Sequence, residues 1–147
     1  MSRQDTGFTG ISNYLKNTLI PSVTSIRGAN IFDHELTDLG GFPSVTITAQ
    51  EQMGKFLDNT RNERTYRFTI RVFIDRNKQN FGTSKAETIL RTVADEITLL
   101  LDADSTLGNN CIYTKVFPAK FGYVERESNN LRVMEIIMDA IGAITWR

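Results

Sequence analysis

His34 and Cys111 are the only histidine and the only cysteine in this 147-residue sequence, and most protein chemistry would have to pass through one of them. His34-Glu35-Leu36-Thr37-Asp38 begins like the helical zinc-protease signature, which needs a second histidine four residues after the first. Asp38 stands there instead, and the chain holds no other histidine. A Ser-His-Asp triad would also depend on His34, and no Gly-x-Ser-x-Gly turn presents a serine. A Cys111–His34 pair is weighed against the reading of a thiol that opens an apolar strand as a small core hydrophobe, and the core reading prevails. One cysteine excludes a disulfide within the chain, and one cysteine with one histidine excludes a zinc cage of that type.

Phosphate and metal chemistry fare no better. No glycine precedes a Lys-Ser or Lys-Thr pair at the spacing of a phosphate loop. Gly82-Thr83-Ser84-Lys85 reads as the start of a helix, capped by Ser84 with Glu87. Asp102, Asp104 and the pair Asp95-Glu96 could serve a metal-dependent nuclease. Acids beside a helix terminus more commonly keep that end hydrated, and they are read so here. The expectation is a protein that is not an enzyme, with no catalytic residue, no metal and no cofactor.

Aromatic and basic residues raise nucleic acid as a ligand. Lys120-Phe121-Gly122-Tyr123-Val124-Glu125 partly matches the base-stacking strand of RNA-recognition motifs. It lacks the second glycine and the closing aromatic, and a strand rather than a helix should follow the turn at Glu127 to Asn130. Formal charge is zero, from 17 basic and 17 acidic residues. Nonspecific binding to phosphates needs an uncompensated basic surface. A hairpin arm that carries aromatics is the preferred reading.

Length and composition set the frame for these side chains. A chain of 147 residues with 40% hydrophobic and 23% charged residues is expected to form one globular domain over residues 1-147. A domain of that size buries roughly two-thirds of its unfolded surface and needs no cross-link to fold. Met1-Ser2-Arg3-Gln4-Asp5 is polar and no secretory h-region follows. Apolar runs fall short of the ~20 residues that span a bilayer, so a soluble intracellular protein is expected.

Periodicity predicts the elements. Ile11, Tyr14, Leu15, Thr18 and Leu19 repeat at helical spacing over Thr9 to Ile20, with Pro21 ending or bending the helix. A short strand is expected near Ala29 to Asp33. After the turn residues Gly40-Gly41 and Pro43, Val45, Ile47 and Ala49 alternate with polar neighbours in a strand over Ser44 to Gln50. Glu51 to Glu63 reads as the polar tip of a long hairpin, centred on Asp58-Asn59-Thr60. Arg64 to Arg76 gives the clearest alternation, with Tyr66, Phe68, Ile70, Val72 and Ile74 on one face. At about 3.3 Å per residue this strand spans roughly 43 Å, against a domain diameter near 38 Å. It should therefore cross the whole domain or project beyond it. A second helix starts at Ser84 and carries Ala86, Ile89, Leu90, Val93, Ala94, Ile97, Leu100 and Leu101 as one stripe, ending in the polar turn Asp102 to Asn110. Strands near Cys111 to Ala119 and Leu131 to Ile144 complete an α+β fold. Its sheet is expected to be mainly antiparallel with four to five strands, two helices on one face and a long projecting β-hairpin.

The sheet faces point to assembly. The last strand has Met134, Ile136 and Met138 on one side and Leu131, Val133 and Ile137 on the other, so both faces need cover, and two helices reach only one. Either a terminal segment wraps across or another subunit packs there, and the second reading is favoured. The subunit-contact candidates are Gln52, Lys55, Phe56, Arg61 and Arg64 on the hairpin, with Arg67, Arg71 and Phe73 on the outward face of the long strand. A ribbon that reaches past its own core can clamp a neighbour, and head-to-tail contacts close into rings.

The stretch Tyr66-Arg67-Phe68-Thr69-Ile70-Arg71-Val72-Phe73-Ile74 leads to the helix Ala86-Glu87-Thr88-Ile89-Leu90-Arg91-Thr92-Val93-Ala94-Asp95-Glu96. Phe121-Gly122-Tyr123-Val124-Glu125-Arg126 and Arg132-Val133-Met134-Glu135-Ile136 follow. Together they resemble the tail-terminator (tail-completion) proteins of long-tailed bacteriophages, over roughly residues 60 to 147. The likeness is a diffuse pattern of elements with scattered side chains rather than a fixed motif. It implies a structural virion protein, assembled in the host cytoplasm, that forms a hexameric ring. Such a ring would cap the tail tube and join it to the head connector, with DNA passing unread through the lumen. It implies no catalytic residue. A head-completion or tail-tube subunit is the nearest alternative, and a small nucleic-acid-binding module a more distant one.

Overall fold

The apolar stripe of the second predicted helix is buried as a unit: Leu90, Val93, Ala94, Ile97 and Leu101 are all inside. In the computed structural model this helix, α2, runs over Thr83–Ala103. The structure describes residues 8–26, 30–32, 44–56, 61–75, 83–108, 111–126 and 129–145. His34, the Gly40–Pro43 turn and Asp58-Asn59-Thr60 lie outside them. The side chain of Ser84 also lies outside, so the expected capping box is not visible. The Glu87 carboxylate instead accepts hydrogen bonds from Arg132, at 2.7 Å from Nε.

The first predicted helix is present but changes pitch along its length. It is α-helical over Phe8–Tyr14 (α1) and widens to a π turn over Leu15–Leu19, where the Ile20 N–H reaches back to the Leu15 carbonyl. It then tightens to 3-10 turns at Ile20–Ser22 and Thr24–Ile26. Pro21, which has no N–H to donate, sits where the regular ladder stops. Ile11, Leu15, Leu19, Ile20, Val23 and Ile26 are buried, so the changing pitch keeps one apolar edge against the sheet.

The fold is α+β, with a mixed sheet of six strands that is mostly antiparallel: β1 Asn30–Phe32, β2 Ser44–Phe56, β3 Arg61–Asp75, β4 Tyr113–Val116, β5 Lys120–Arg126 and β6 Asn129–Thr145. The order is β1-β2-β3-β6-β4, and β5 also pairs with β6. Only β1, against the start of β2, is parallel. The expected four to five strands become six because the strand expected over Cys111 to Ala119 is short, β4, and a further strand, β5, follows it after Phe117-Pro118-Ala119; the two pair with different halves of β6.

Most of the segment read as a polar hairpin tip is strand. A bulge at Gln50 shifts the β2–β3 register between Ala49↔Phe68 and Glu51↔Arg67. Before it the odd residues of β2 face the core, and after it the even ones do, so the alternation read from Val45 to Ala49 cannot continue. The pairing itself continues to Phe56↔Asn62. β6 lies along the other side of β3 as far as Arg61↔Thr145. Where it is described, the hairpin is therefore backed by a third strand rather than being a free two-stranded ribbon, and residues 57–60 at its tip are outside the described residues.

Both helices pack on the face that carries Val45, Ile47, Phe68, Ile70, Val72, Met134, Ile136 and Met138, in one buried cluster. Phe8 meets Tyr66 and Phe68 edge-on, with ring centroids 4.8 and 5.6 Å away. Asp104 ties this layer together after α2. It accepts from the Thr106 hydroxyl at 2.7 Å, the Gly108 N–H at 2.9 Å and the Tyr14 hydroxyl at 3.2 Å. Leu107, in left-handed backbone at φ 52°, drops its side chain fully into the core. Asp104 therefore anchors a turn; the hydrated helix end expected of it is not what the structure forms. Cys111 is buried, and burial pushes its thiol up to about 11. Among the described residues no helix is long and apolar enough to cross a membrane.

Two outcomes follow for this layer. Ile97→Ala should remove about 2–5 kcal/mol from the unfolding free energy in urea, since its side chain is fully enclosed. The hydrogen bond from Thr106 and its companions lower the Asp104 pKa below the ordinary 3.8. Its contribution is then complete above that value and fades as pH falls through the lower folded value. Acid unfolding followed by circular dichroism should show that loss in the parent protein, and Asp104→Asn should lack it while starting from lower stability at pH 7.

Candidate functional site

The sheet face opposite the helices carries the charged side chains singled out by sequence. Antiparallel pairing sets Arg67 opposite Asp139 and Arg71 opposite Glu135, each pair across one rung between β3 and β6. Arg67 binds Asp139 with both ends of its fork, Nε to Oδ1 at 2.7 Å and Nη2 to Oδ2 at 3.0 Å. Its Nη1 reaches Glu51 on β2 at 3.4 Å. Arg71 Nε donates to Glu135 Oε2 at 2.8 Å. The hydrogen bonds to Asp139 raise the Arg67 pKa above its ordinary value, so the guanidinium keeps its charge. Asp139 is only 5% exposed, and a buried carboxylate of this kind needs its partner.

Phe73 lies on the same face but is 2% exposed within the single chain, packed with Leu131, Val133 and Val124. Ser44, Thr46, Thr69 and Ile141, also on this face, are buried. The two-sided apolarity of β6 is thus answered inside one chain around these residues, and it does not by itself require a neighbouring subunit. The preference for subunit cover over self-cover is corrected to that extent. Phe73, as a core residue, is not available for contact.

The remaining candidates separate. Gln52 is exposed on β2. Arg64 is half-buried and lies over Gly54, its Nη1 3.7 Å from the point where a Cβ would stand. Its Nε is buried without a hydrogen-bond partner. Lys55, Phe56 and Arg61 belong to β2 and β3, and their side chains are outside the described residues. Of the eight, the structure gathers Arg67, Arg71 and Phe73 on one face and spends all three within the chain.

Residues that composition did not single out complete the surface. Phe117, between β4 and β5, stacks over the Arg67 guanidinium at 5.2 Å, and Lys115 approaches the same ring at 5.3 Å. On the helix side, Phe121 and Tyr123 of β5 are 40% and 59% exposed. Arg132 packs against both rings and spends its charge on Glu87 and the Gly122 carbonyl. Those aromatics stand beside a compensated arginine, a poor arrangement for holding phosphates. One signal for the ion pairs was present in the sequence. Arg67 and Arg71 are separated by four residues, as are Glu135 and Asp139, which an antiparallel register brings opposite each other.

Among the described residues the sheet is open on two unlike sides. β2 has β1 beside it only at Ser44 to Thr46, and beyond that no described strand lies on its outer side. β5 likewise has no described strand beyond it. Glu51, Gln52 and Met53 are exposed along the first edge, and Lys120, Phe121 and Tyr123 along the second. Among the described residues no group of three or more His, Cys, Asp or Glu is placed to hold a metal ion.

No family model matches this sequence, and no curated protein does. Among solved structures, a chain from "Virion of native gene transfer agent (GTA) particle" is similar, at 12% sequence identity and a TM-score of 0.47, over 89% of this chain and 90% of that one.

Arg67→Ala should lower the midpoint of chemical denaturation, because it leaves Asp139 buried without its partner. Arg67→Lys should recover only part of the loss, since an ammonium cannot span both carboxylate oxygens. An Arg67→Ala midpoint equal to the parent's would show that the pair is structurally idle.

Proposed function

We propose that this chain is a structural virion protein whose copies join head to tail into a ring, and that the ring caps a phage tail tube and joins it to the head connector. The observation that carries this reading is the pair of unlike sheet edges that have no partner strand among the described residues. An open edge presents unpaired N–H and C=O groups that another strand can satisfy. Two different edges on opposite sides of one subunit favour a heterologous contact, which repeats and closes when the rotation permits. The side chains match in sign, with Glu51 exposed on the β2 edge and Lys120 on the β5 edge. Phe121 and Tyr123 supply the apolar area that main-chain pairing alone lacks.

Six copies, a tail-tube protein on one side and a head-connector protein on the other are the partners implied by the tail-terminator resemblance, with DNA passing unread through the lumen. Gln52, Lys55, Phe56, Arg61 and Arg64 then lie on the contact-making strand pair. Arg67 acts one step back, holding Glu51 in place. No step of this role requires a catalytic group.

Mass photometry and negative-stain imaging of the purified protein test the reading. Closed rings of six are expected, alone or on added tail tubes, and Phe121→Lys with Tyr123→Lys should raise the concentration needed for assembly by tenfold or more. Long filaments from the protein alone would reassign it as a tube subunit. A monomer at every concentration, with no ring on tail tubes, would end the proposal.

A further inference from the structure

One rung of the sheet alternates in charge from edge to edge. Glu51 stands opposite Arg67, Arg67 opposite Asp139, and Asp139 opposite Lys115, across β2, β3, β6 and β4. Arg67 and Asp139 neutralise each other in the middle of the rung. Its ends are an exposed acid on β2 and an exposed base on β4. We infer that these ends meet between copies: Glu51 of one copy pairs with Lys115 of the next, in an antiparallel ladder of β2 on β4. The inference rests on the head-to-tail reading above and names the register of that contact.

β4 belongs to the same side of the subunit as β5, because both pair with β6 along the edge that β3 leaves open. No described strand lies beyond it. Its level along the sheet matches the free stretch of β2. Lys115, Thr114 and Tyr113 stand on the rungs of Glu51, Gln52 and Met53. Lys120 stands on the rung of Thr46 instead, where β1 already lies beside β2. The strand directions agree as well. Each step from β2 to β3, β6 and β4 is antiparallel, so β4 runs opposite to β2 and repeated copies bring the two edges together antiparallel. Rotation about an axis along the strands keeps those levels equal, and the three rungs then meet without a slip.

Directly opposed residues of an antiparallel pair set their Cβ atoms about 4.5–5.5 Å apart, close enough for opposite charges to attract and apolar groups to pack. Glu51 meets Arg67 at 3.4 Å yet keeps 52% of its side chain exposed. Lys115 rests over the Phe117 ring and makes no ion pair among the described residues. On the next rung of the same face, Met53 and Tyr113 are large hydrophobic residues left 39% and 47% exposed. Packing them on each other removes that apolar surface from water. Gln52 and Thr114, between the two rungs, can hydrogen-bond on the other face. Phe121 and Tyr123 add contact area further along the same edge.

Charge exchange tests the pairing. Glu51→Lys and Lys115→Glu, each studied alone by mass photometry, should need at least about threefold more protein to assemble than the parent, the scale of an exposed ion pair. Mixed one to one, they should regain the parent's assembly, since alternation in a ring of six restores an acid–base pair at every contact. A second readout does not depend on charge. With Cys111→Ala as background, Met53→Cys combined with Tyr113→Cys should oxidise to a ladder of covalently linked copies on denaturing gels. Met53→Cys combined with Lys120→Cys should stay unlinked. Parent rings with no link between positions 53 and 113, or linked through position 120 instead, would overturn this register and leave the ring standing. A mixture no better than either charge variant alone would do the same. A parent that never assembles would end the ring reading and this inference together.

Discussion

The antiparallel pairing of β3 with β6 is the constraint on which the rest of this molecule depends. Its register runs unbroken from Arg61↔Thr145 to Asp75↔Leu131. At about 3.4 Å per residue, that ladder is roughly 50 Å long, longer than the domain would be if it were spherical. Every other strand except β1 pairs with one of these two: β2 along β3, and β4 and β5 along successive halves of β6. Because side chains alternate, this one register fixes which residues meet the helices and which form the opposite face. A slip of one position would turn either Phe68 and Ile70 or Met134 and Ile136 to the charged side.

The same register explains the chemistry of the opposite face. Arg67 and Arg71 meet Asp139 and Glu135 across the ladder, so charges that look isolated along the chain neutralise one another in space. Around Phe73, Leu131 and Val133 the face is apolar and buried; toward Arg67 it is ionic and rimmed by Phe117. One sheet side thus carries a small second core and a stretch of ion pairs within a few residues of each other. The division follows which half of β6 is covered by β5 and which by β4, and the break at Phe117 falls between them.

The sheet has no partner strand, among the described residues, on the outer side of most of β2 or of β5. Natural edges of this length are commonly blunted by charge, proline or a bulge. Here the β2 edge carries Glu51 and a bulge at Gln50, whereas the β5 edge carries two exposed aromatics. That asymmetry gives the molecule a direction, and direction is what a closing head-to-tail assembly requires.

The sequence by itself determined the elements whose periodicity is set by burial. The stripe of α2, the alternation of Tyr66 to Ile74 and the α+β class are all direct consequences of one apolar side facing one core. It also determined that Cys111 is a core residue, and its arrangement of acids and bases contained the spacing that matches Arg67 and Arg71 to Glu135 and Asp139. Tertiary structure decided what no local pattern encodes. The bulge at Gln50 reverses the faces of β2, so its second half could be recognised as strand only through pairing with β3. β4 and β5 are separate because β6 offers each a different segment: β5 pairs from Arg126↔Asn129 to Lys120↔Glu135, and β4 pairs with the later stretch Met138 to Ile141. Phe73 looked outward by parity yet is buried, since parity assigns a face and only packing decides whether that face is wet.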